Sequence, residues 1–435
     1  MINLTVNGIT AISPLGGSGT RLYPLTLDTP KHLLPIGNRA IFHAATEYLA
    51  QQGIIDFILG VTGYRNRVDT HRFFGYGGRF RAQGLNPRIH YANYDDLVYR
   101  NKGSGDVFLW TLTNYRDLIG NNHVLLVNGD NLSNIDLGEF YEAHRQKDAV
   151  LTIAVKELEP KDPRLPNFGT VVFDSKTARV SEFVEKSEDP PSSYVNTAIC
   201  LFSPEIYEVA NSREMRDLMK ELEETNKPLD VGGRLIPSLV KWGVKVFAYP
   251  LTGAWSDVGT PNSYSETTRD ILYGEYPILH RMYVQRRGAD WEALVHDDTV
   301  RRLGNRSERI NFVGRCILGS NVTIGDGTLI QNSVIGDNAY IGSGVIIEET
   351  TLMPFTRVED GVHIRAGIVG HNTIIGSNSV ISPGAVLGDD LYIPPEYNVG
   401  IGQRLASTRH LAVVRRAGYK IGDELSGLEA FAFTP

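Results

Sequence analysis

Ile324-Gly325-Asp326-Gly327-Thr328-Leu329 is followed by Ile335-Gly336-Asp337-Asn338-Ala339-Tyr340 and Ile341-Gly342-Ser343-Gly344-Val345-Ile346. Further on stand Val369-Gly370-His371-Asn372-Thr373-Ile374, Ile375-Gly376-Ser377-Asn378-Ser379-Val380 and Ile381-Ser382-Pro383-Gly384-Ala385-Val386. An aliphatic residue returns every six positions, usually with glycine behind it, which is the repeat of a parallel β-helix. The aliphatic side chain fills a narrow prism and the glycine lets the chain turn its corner. This predicts a β-helix over residues 310–395, with a tail over 396–435.

Upstream the pattern is different. Residues 9–13 read as a strand that must finish by Ser13 or sit irregularly at Pro14, which lacks a ladder donor. Residues 41–52 carry apolar positions at helical spacing and stop at Gly53. Residues 54–61 form a near-continuous apolar run, as in a strand buried on both faces. Residues 106–118 read as a helix, and 123–127 and 150–155 as strands. The alternation predicts an α/β domain over 1–274 with a Rossmann-like, mostly parallel sheet. Ligands of such sheets sit beyond the strands' carboxyl ends, so the loops after Ser13, Gly60 and Val127 should carry the chemistry. Residues 275–309 are irregular and Arg-rich (Arg281, Arg286, Arg287, Arg301, Arg302, Arg306, Arg309), which predicts a solvated linker.

A chain of 435 residues exceeds one ordinary core, in keeping with two domains. Charged residues make up 21%, within the globular range, and the net charge of −7 predicts neither nucleic acid nor an anionic membrane as partner. Cys200 and Cys316 are the only cysteines, too few for a disulfide framework or a thiolate metal site. The first residues lack a basic start followed by an apolar run, and no run approaches the roughly 20 apolar residues of a membrane span. A soluble cytoplasmic protein is expected.

Four constellations could carry chemistry. The first is Leu15-Gly16-Gly17-Ser18-Gly19-Thr20-Arg21-Leu22, with Lys31 ten positions on. It lacks the Gly-Lys-Ser/Thr of a Walker loop and the third glycine of a dinucleotide fingerprint. A Cβ-poor loop still lets backbone N–H groups approach phosphate, Arg21 adds a bidentate donor and Lys31 a second cation. The second is Asn128-Gly129-Asp130, placed to hold a divalent ion against phosphate oxygens. The third is Trp255-Ser256-Asp257-Val258-Gly259-Thr260-Pro261, whose Asp257 follows a strand-like stretch over 244–251 and could share that ion. The fourth is Glu185-Lys186 at another strand end, a carboxylate for sugar hydroxyls beside a cation for a sugar phosphate. Singly, each has a plainer reading as a turn, a helix cap or a solvated strand end.

Together they resemble the sugar-phosphate nucleotidyltransferase family, which includes ADP-glucose, GDP-mannose and dTDP-glucose pyrophosphorylases. The family's opening pattern GG-x-GTRL-x-PLT-xxx-PK-xx-LP is matched almost throughout by Gly16 to Pro35. The resemblance continues through Gly129-Asp130, Glu185-Lys186, Asn196 and Asp257-Val258-Gly259-Thr260, in family order. It implies a GT-A-like nucleotidyltransferase sheet followed by a left-handed β-helix, and nucleotidyl transfer from a nucleoside triphosphate to a sugar 1-phosphate with release of pyrophosphate. It implies Arg21, Lys31, Asp130, Lys186 and Asp257 as catalytic residues, with Asp130 and Asp257 on Mg²⁺. Leu15, Gly16, Gly17, Ser18, Gly19, Thr20, Gly103 and Ser104 would bind the nucleotide; Gly129, Gly169, Glu185, Lys186 and Asn196 the sugar phosphate. A solenoid of this sort implies a homo-oligomer.

Two departures bear on the substrate. Pro14 stands where the family has an aliphatic residue, and Ala198 replaces a common glycine near the sugar. The stretches around Gly103 and Asp230 resemble adenylyltransferases, whereas Pro30 to Arg39 resembles guanylyltransferases. The reading leans to ATP and glucose 1-phosphate, with GTP and mannose 1-phosphate or a cyclitol 1-phosphate as the alternative. Hexapeptide acyltransferases, with His363 or His371 as base, and a non-catalytic regulatory subunit are the competing classes. The retention of Arg21, Lys31, Asp130, Lys186 and Asp257 favours the enzyme.

Overall fold

The computed structural model describes residues 8–17, 19–63, 66–78, 81, 84–85, 88–94, 103–276, 283–409 and 428–431. Its contacts divide the chain into two compact units, 1–17 with 45–255 and 18–44 with 256–435. The division does not fall at 274, where the sequence places the first domain's end. Residues 18–44 cluster with the C-terminal unit.

The first unit is built on a nine-stranded sheet. Its strands are β1 (Ile9–Pro14), β2 (Ile55–Thr62), β3 (Arg88–Asn93), β4 (His123–Val127), β5 (Leu151–Glu157), β6 (Gly169–Phe173), β7 (Val180–Glu185), β8 (Tyr194–Phe202) and β9 (Val246–Pro250). Their order is β7-β6-β8-β4-β1-β2-β3, with β5 beside β8 and β9 beside β5. The run β4-β1-β2-β3 is parallel, as the buried apolar strands predict. β8 runs antiparallel to β4, β5 and β6, which the sequence did not reveal. Its register breaks between Asn196 and Cys200, where Ala198 takes φ +57°. Pro14 lies within β1 rather than beyond it; at the last position its missing N–H interrupts nothing, and its carbonyl still accepts from Gly129 at 3.4 Å. The expected helix over 106–118 is Ser104–Asn114 followed by a separate turn, Arg116–Ile119. Both cysteines are buried, and burial pushes the Cys200 thiol up to about 12.

In the second unit the hexapeptide stretch folds into stacked parallel rungs around an aliphatic core that includes Ile324, Ile330, Ile335, Ile341, Ile347 and Leu352, each no more than 3% exposed. Paired rungs advance by 17 residues from Thr323 to Tyr340, Arg357 and Ile374, and by 18 from there to Tyr392. One corner per early coil is therefore a residue shorter than three hexads would give. The helix starts before and ends after the expected bounds. Trp291–His296 pairs in parallel with Asn311–Leu318, and Tyr283–Arg287 pairs back on it. Asp297–Leu303 is helical, so residues 283–309 are folded rather than a solvated linker. At the other end Asn398–Val399 and Arg404–Ser407 continue the rungs inside what the sequence reads as a tail.

Helix α1 (Pro261–Tyr273) begins with Thr260 as cap, its hydroxyl accepting from Ser263 N–H at 3.2 Å, and ends at Gly274 with φ +85°. The Tyr264 hydroxyl donates to the Pro35 carbonyl, tying residues 18–44 to this helix. The same segment is fastened to the coils. Asn38 Nδ2 donates to the Ile335 carbonyl at 2.8 Å, and the Thr29 hydroxyl to Asp389 Oδ2 at 3.3 Å. A Cβ on Gly388 would stand 3.0 Å from Pro24, so the two segments approach closely there. No helix among the described residues is long and apolar enough to cross a membrane.

Candidate active site

In the sheet unit, the chain leaves β1 under tight local control. Leu15 is buried, its N–H donates to the Val61 carbonyl at 2.8 Å, and its carbonyl accepts from Asn66 Nδ2 at 2.9 Å. The Gly129 N–H bond to Pro14 holds the turn after β4 beside the turn after β1. Gly16-Gly17 and Gly129-Asp130 are thereby brought together at the carboxyl ends of parallel strands. Gly17 has φ +125°, a conformation L side chains rarely adopt. A Cβ on Gly16 or Gly17 would meet nothing within 4 Å, so packing does not demand glycine there. Bare backbone beside open space suits close approach of a phosphate. Asp130 is half-buried, and behind it Asn131 Nδ2 donates to the Thr197 carbonyl at 2.7 Å. The same carbonyl accepts from Trp255 Nε1 at 3.1 Å. Ser18 lies outside the described residues.

The other predicted cluster of this unit forms at the edge of the sheet. Glu185 pairs with Gly169 across β7 and β6. A Cβ on Gly169 or on Gly232 would come within 2.5 Å of Glu185 Oε2, so two glycines make the space this carboxylate occupies. Burial pushes the Glu185 carboxyl up, and Lys186 at 3.8 Å opposes that shift. Lys186 is 66% exposed at its side chain and sits at φ +49°. On β8, Asn196 Oδ1 accepts from the Ala198 N–H at 3.0 Å, closing the bulge around the left-handed Ala198.

Gly103 and Ser104, expected at the nucleotide, lie against the loop over 229–231. Ser104 Oγ accepts from the Val231 N–H at 3.0 Å, and Ser104 N–H donates to Asp230 Oδ1 at 3.3 Å. Asp106 accepts from the Gly103 and Leu229 N–H groups, both at 2.9 Å. A Cβ on Gly103 would fall 2.5 Å from the Leu229 carbonyl. Gly103, Ser104 and Asp106 thus form a clasp between 103–106 and 229–231. Gly232, next in that loop, faces Glu185, so the clasp also shapes the surroundings of that carboxylate. Asp230 and Gly232 were missed as candidates, although an acid followed by Gly232-Gly233 was the available signal.

In the β-helix unit, Gly19 takes φ +63°, and its carbonyl accepts from the Thr26 hydroxyl at 2.7 Å. A Cβ there would sit 3.1 Å from Thr26 and 3.3 Å from Lys31, so the loop folds tightly onto the stretch that carries Lys31. A 3₁₀ turn, Thr20–Leu22, buries Leu22 and leaves Arg21 exposed. Lys31 Nζ lies 3.6 Å from Asp257 Oδ1, with side chains 14% and 28% exposed. Asp257 ends a short strand of its own, Trp255–Asp257, distinct from β9. A Cβ on Gly259 would be 2.9 Å from the Arg21 guanidinium and 3.4 Å from Asp257 Oδ2. Arg21 and Lys31 thus converge around Gly259 with Asp257, which lies more than 200 residues further along the chain. Sequence analysis did not single out Gly259 for that part. His363 and His371 each face a carboxylate on another coil, Glu348 at 3.2 Å and Asp389 at 3.3 Å.

The Nucleotidyl transferase family model matches residues 15–274, spanning all of these clusters. This chain belongs to that family. Residues 305–399 match a second model, the EIF2B subunit epsilon LbH domain, in accord with a left-handed β-helix. The chain is 28% identical over 332 residues to a mannose-1-phosphate guanylyltransferase of Mycobacterium tuberculosis, covering 76% of this chain and 80% of the relative. It is 26% identical over 400 residues to a glucose-1-phosphate adenylyltransferase of Fervidobacterium nodosum, covering 88% and 92%. A UTP–glucose-1-phosphate uridylyltransferase of Synechocystis is 26% identical over 332 residues, covering 73% and 80%. This chain is thus a nucleotidyltransferase, and these three relatives are named for sugar 1-phosphates and for three different nucleotides.

Proposed function

We propose that this enzyme transfers the adenylyl group of ATP to glucose 1-phosphate, releasing pyrophosphate. The convergence of Arg21, Lys31 and Asp257 carries the assignment of the chemistry to these residues. Backbone N–H groups of Leu15 to Thr20 cradle the triphosphate, and Arg21 and Lys31 offset the charge that spreads over its phosphates during transfer. The sugar phosphate itself supplies the attacking oxygen, which approaches the α-phosphorus in line while the bond to pyrophosphate breaks. Catalysis then rests on position and electrostatics, with no protein nucleophile. Lys186 holds the phosphate of the incoming sugar, and Glu185 and Asn196 accept its hydroxyls.

Magnesium fits the donors available. Asp130 and Asp257 offer hard carboxylate oxygens, and among the described residues no group of three or more His, Cys, Asp and Glu forms a metal site by itself. An ion bound through one or two carboxylates, and completed by substrate phosphates and water, is the usual magnesium arrangement. When bound it would neutralise charge on the transferring phosphate.

The choice of ATP rests on length of likeness: the adenylyltransferase relative aligns over 88% of this chain, against 76% for the guanylyltransferase. The guanylyltransferase relative's higher identity supports a second reading, GTP with mannose 1-phosphate or a cyclitol 1-phosphate. A cytoplasmic homo-oligomer completes the proposal. Pyrophosphate release measured across four nucleoside triphosphates and a series of sugar and cyclitol 1-phosphates decides it. Highest kcat/KM with ATP and glucose 1-phosphate is expected; preference for GTP moves the assignment to the second reading, and a flat matrix overturns both.

A further inference from the structure

One face of the β-helix carries a row of side chains with an unusual symmetry. Its rungs are Asn311–Leu318, Leu329–Gln331, Ile346–Glu348, His363–Arg365, Val380–Ile381 and Asn398–Val399, all in parallel register. Ile330, Ile347, Ile364, Ile381 and Val399 point inward and are at most 1% exposed. Their neighbours point out. The register stacks Asn311, Leu329, Ile346, His363, Val380 and Asn398 into one outward row. A second row holds Val313, Gln331, Glu348 and Arg365, with Ser382 next in line. Ile346 is 36% exposed, Val380 39% and Val313 38%, so the face shows aliphatic side chains in register to solvent. Apolar surface grouped in this way commonly marks an interaction site.

The rows are complementary to themselves when read backwards. Reversed, the first row sets Asn398 against Asn311, Val380 against Leu329 and His363 against Ile346. The second row, reversed about the same point, sets Arg365 against Glu348 and Ser382 against Gln331. A two-fold axis lying in the face, along the strands and between the Ile346 and His363 rungs, performs this reversal. It generates the Glu348–Arg365 contact twice, as an isologous interface must. Moving the axis onto the His363 rung would oppose Arg365 to its own copy. Turning the axis along the solenoid would press Ile346 onto Glu348. Charge therefore selects one arrangement among those that cover the apolar row. Glu348 meets His363 Nε2 through Oε2 at 3.2 Å, which leaves its other oxygen for an incoming guanidinium. Arg365 has no ion-pair partner among the described residues of its own chain.

We propose that two copies of this chain pair face to face through these rungs, with their solenoids antiparallel and Glu348 of each opposite Arg365 of the other. The proposal goes beyond a homo-oligomer as such, because it names the surface, the orientation and the ion pairs.

Sedimentation velocity on the full chain tests it through charge exchange. Glu348→Arg and Arg365→Glu, made singly, should each weaken dimerisation on the order of tenfold, since each places like charges together twice. The double exchange should return the dissociation constant to within about threefold of the parent, because the pairs re-form. A second variant is independent of these charges. Leu329→Cys with Val380→Cys places thiols three rungs apart within a chain, about 14 Å at ~4.8 Å per rung, too far to bond to one another. Across the proposed axis they face each other, so mild oxidation should give a covalent dimer. A monomeric parent at its highest soluble concentration, an association indifferent to both single reversals, or a parent dimer whose cysteine variant does not cross-link would overturn the proposal.

Discussion

Two lysine–carboxylate pairs of this enzyme, Lys31–Asp257 and Lys186–Glu185, are nearly alike in length and differ in almost everything else. Lys31 and Asp257 stand 3.6 Å apart with side chains 14% and 28% exposed, held by a loop that Gly19 folds tightly and that is bonded to the β-helix at Asp389. Lys186 and Glu185 stand 3.8 Å apart, but Lys186 is 66% exposed and occupies the left-handed backbone region. The first pair is an anchored element of a constellation that gathers distant residues. The second is an open edge with an exposed lysine end. The difference agrees with the proposed roles, an anchored charge array for the reacting phosphates and an open pair for the sugar phosphate. Chemistry demands a fixed charge array at the reacting phosphate, whereas related enzymes must accommodate different acceptors at the other end.

Breaking the anchored end should cost most. Arg21→Ala is expected to lower kcat by about two to three orders of magnitude, the scale of a lost donor to transition-state charge. Initial rates of pyrophosphate release at saturating substrates would show it, and a fall of less than tenfold would mean that Arg21 does not act on the reacting phosphates. Next comes Gly259→Ala, which changes no charge. The added Cβ would stand 2.9 Å from the Arg21 guanidinium and must displace it. A loss of roughly tenfold to a hundredfold in kcat, with thermal unfolding little changed, is expected from misplacement alone. Unaltered turnover would show that Arg21 moves aside without consequence.

The open end should answer differently. Lys186→Met should raise KM for the sugar phosphate about tenfold and leave KM for the nucleotide close to its parent value. If both constants rose together, the two ends would not be separable. The smallest effect belongs to Ala198→Gly. Ala198 sits at φ +57°, where a Cβ costs about 1–2 kcal/mol, partly offset by the greater unfolded freedom of glycine. A net stabilisation of about 0.5–1 kcal/mol in denaturant unfolding is expected, and destabilisation would indicate that the Ala198 methyl group makes packing contacts worth more than its backbone strain.

Legibility in the sequence followed the range of the signal. The repeat was readable because each coil restates it, and β2 and β4 because strands buried on both faces are nearly unbroken apolar runs. The hairpin over Tyr283–Arg287 was not, since four of its five residues are exposed and no alternation marks it. The first rung at Trp291–His296 was hidden for a related reason, lacking the glycine that flags later coils. At the site, motif order was enough to name Arg21, Lys31 and Asp257. Their meeting around Gly259 was not readable, because nothing local tells a glycine that leaves room for a distant guanidinium from one that ends a turn. The clasp between Ser104 and Asp230 is another long-range fact, joining residues 126 positions apart. Ala198 shows the reverse case: its departure from a common glycine was visible, and the left-handed bulge supplies the reason.

In the proposed reaction the anchored constellation performs nucleotidyl transfer through a carboxylate serving a divalent cation. Asp257→Asn keeps the shape of that side chain and removes its charge. Pyrophosphate release by this variant, measured across a magnesium titration, should fall by at least about a hundredfold and should need more magnesium for half-maximal rate. An undiminished rate with an unchanged magnesium requirement would contradict the account.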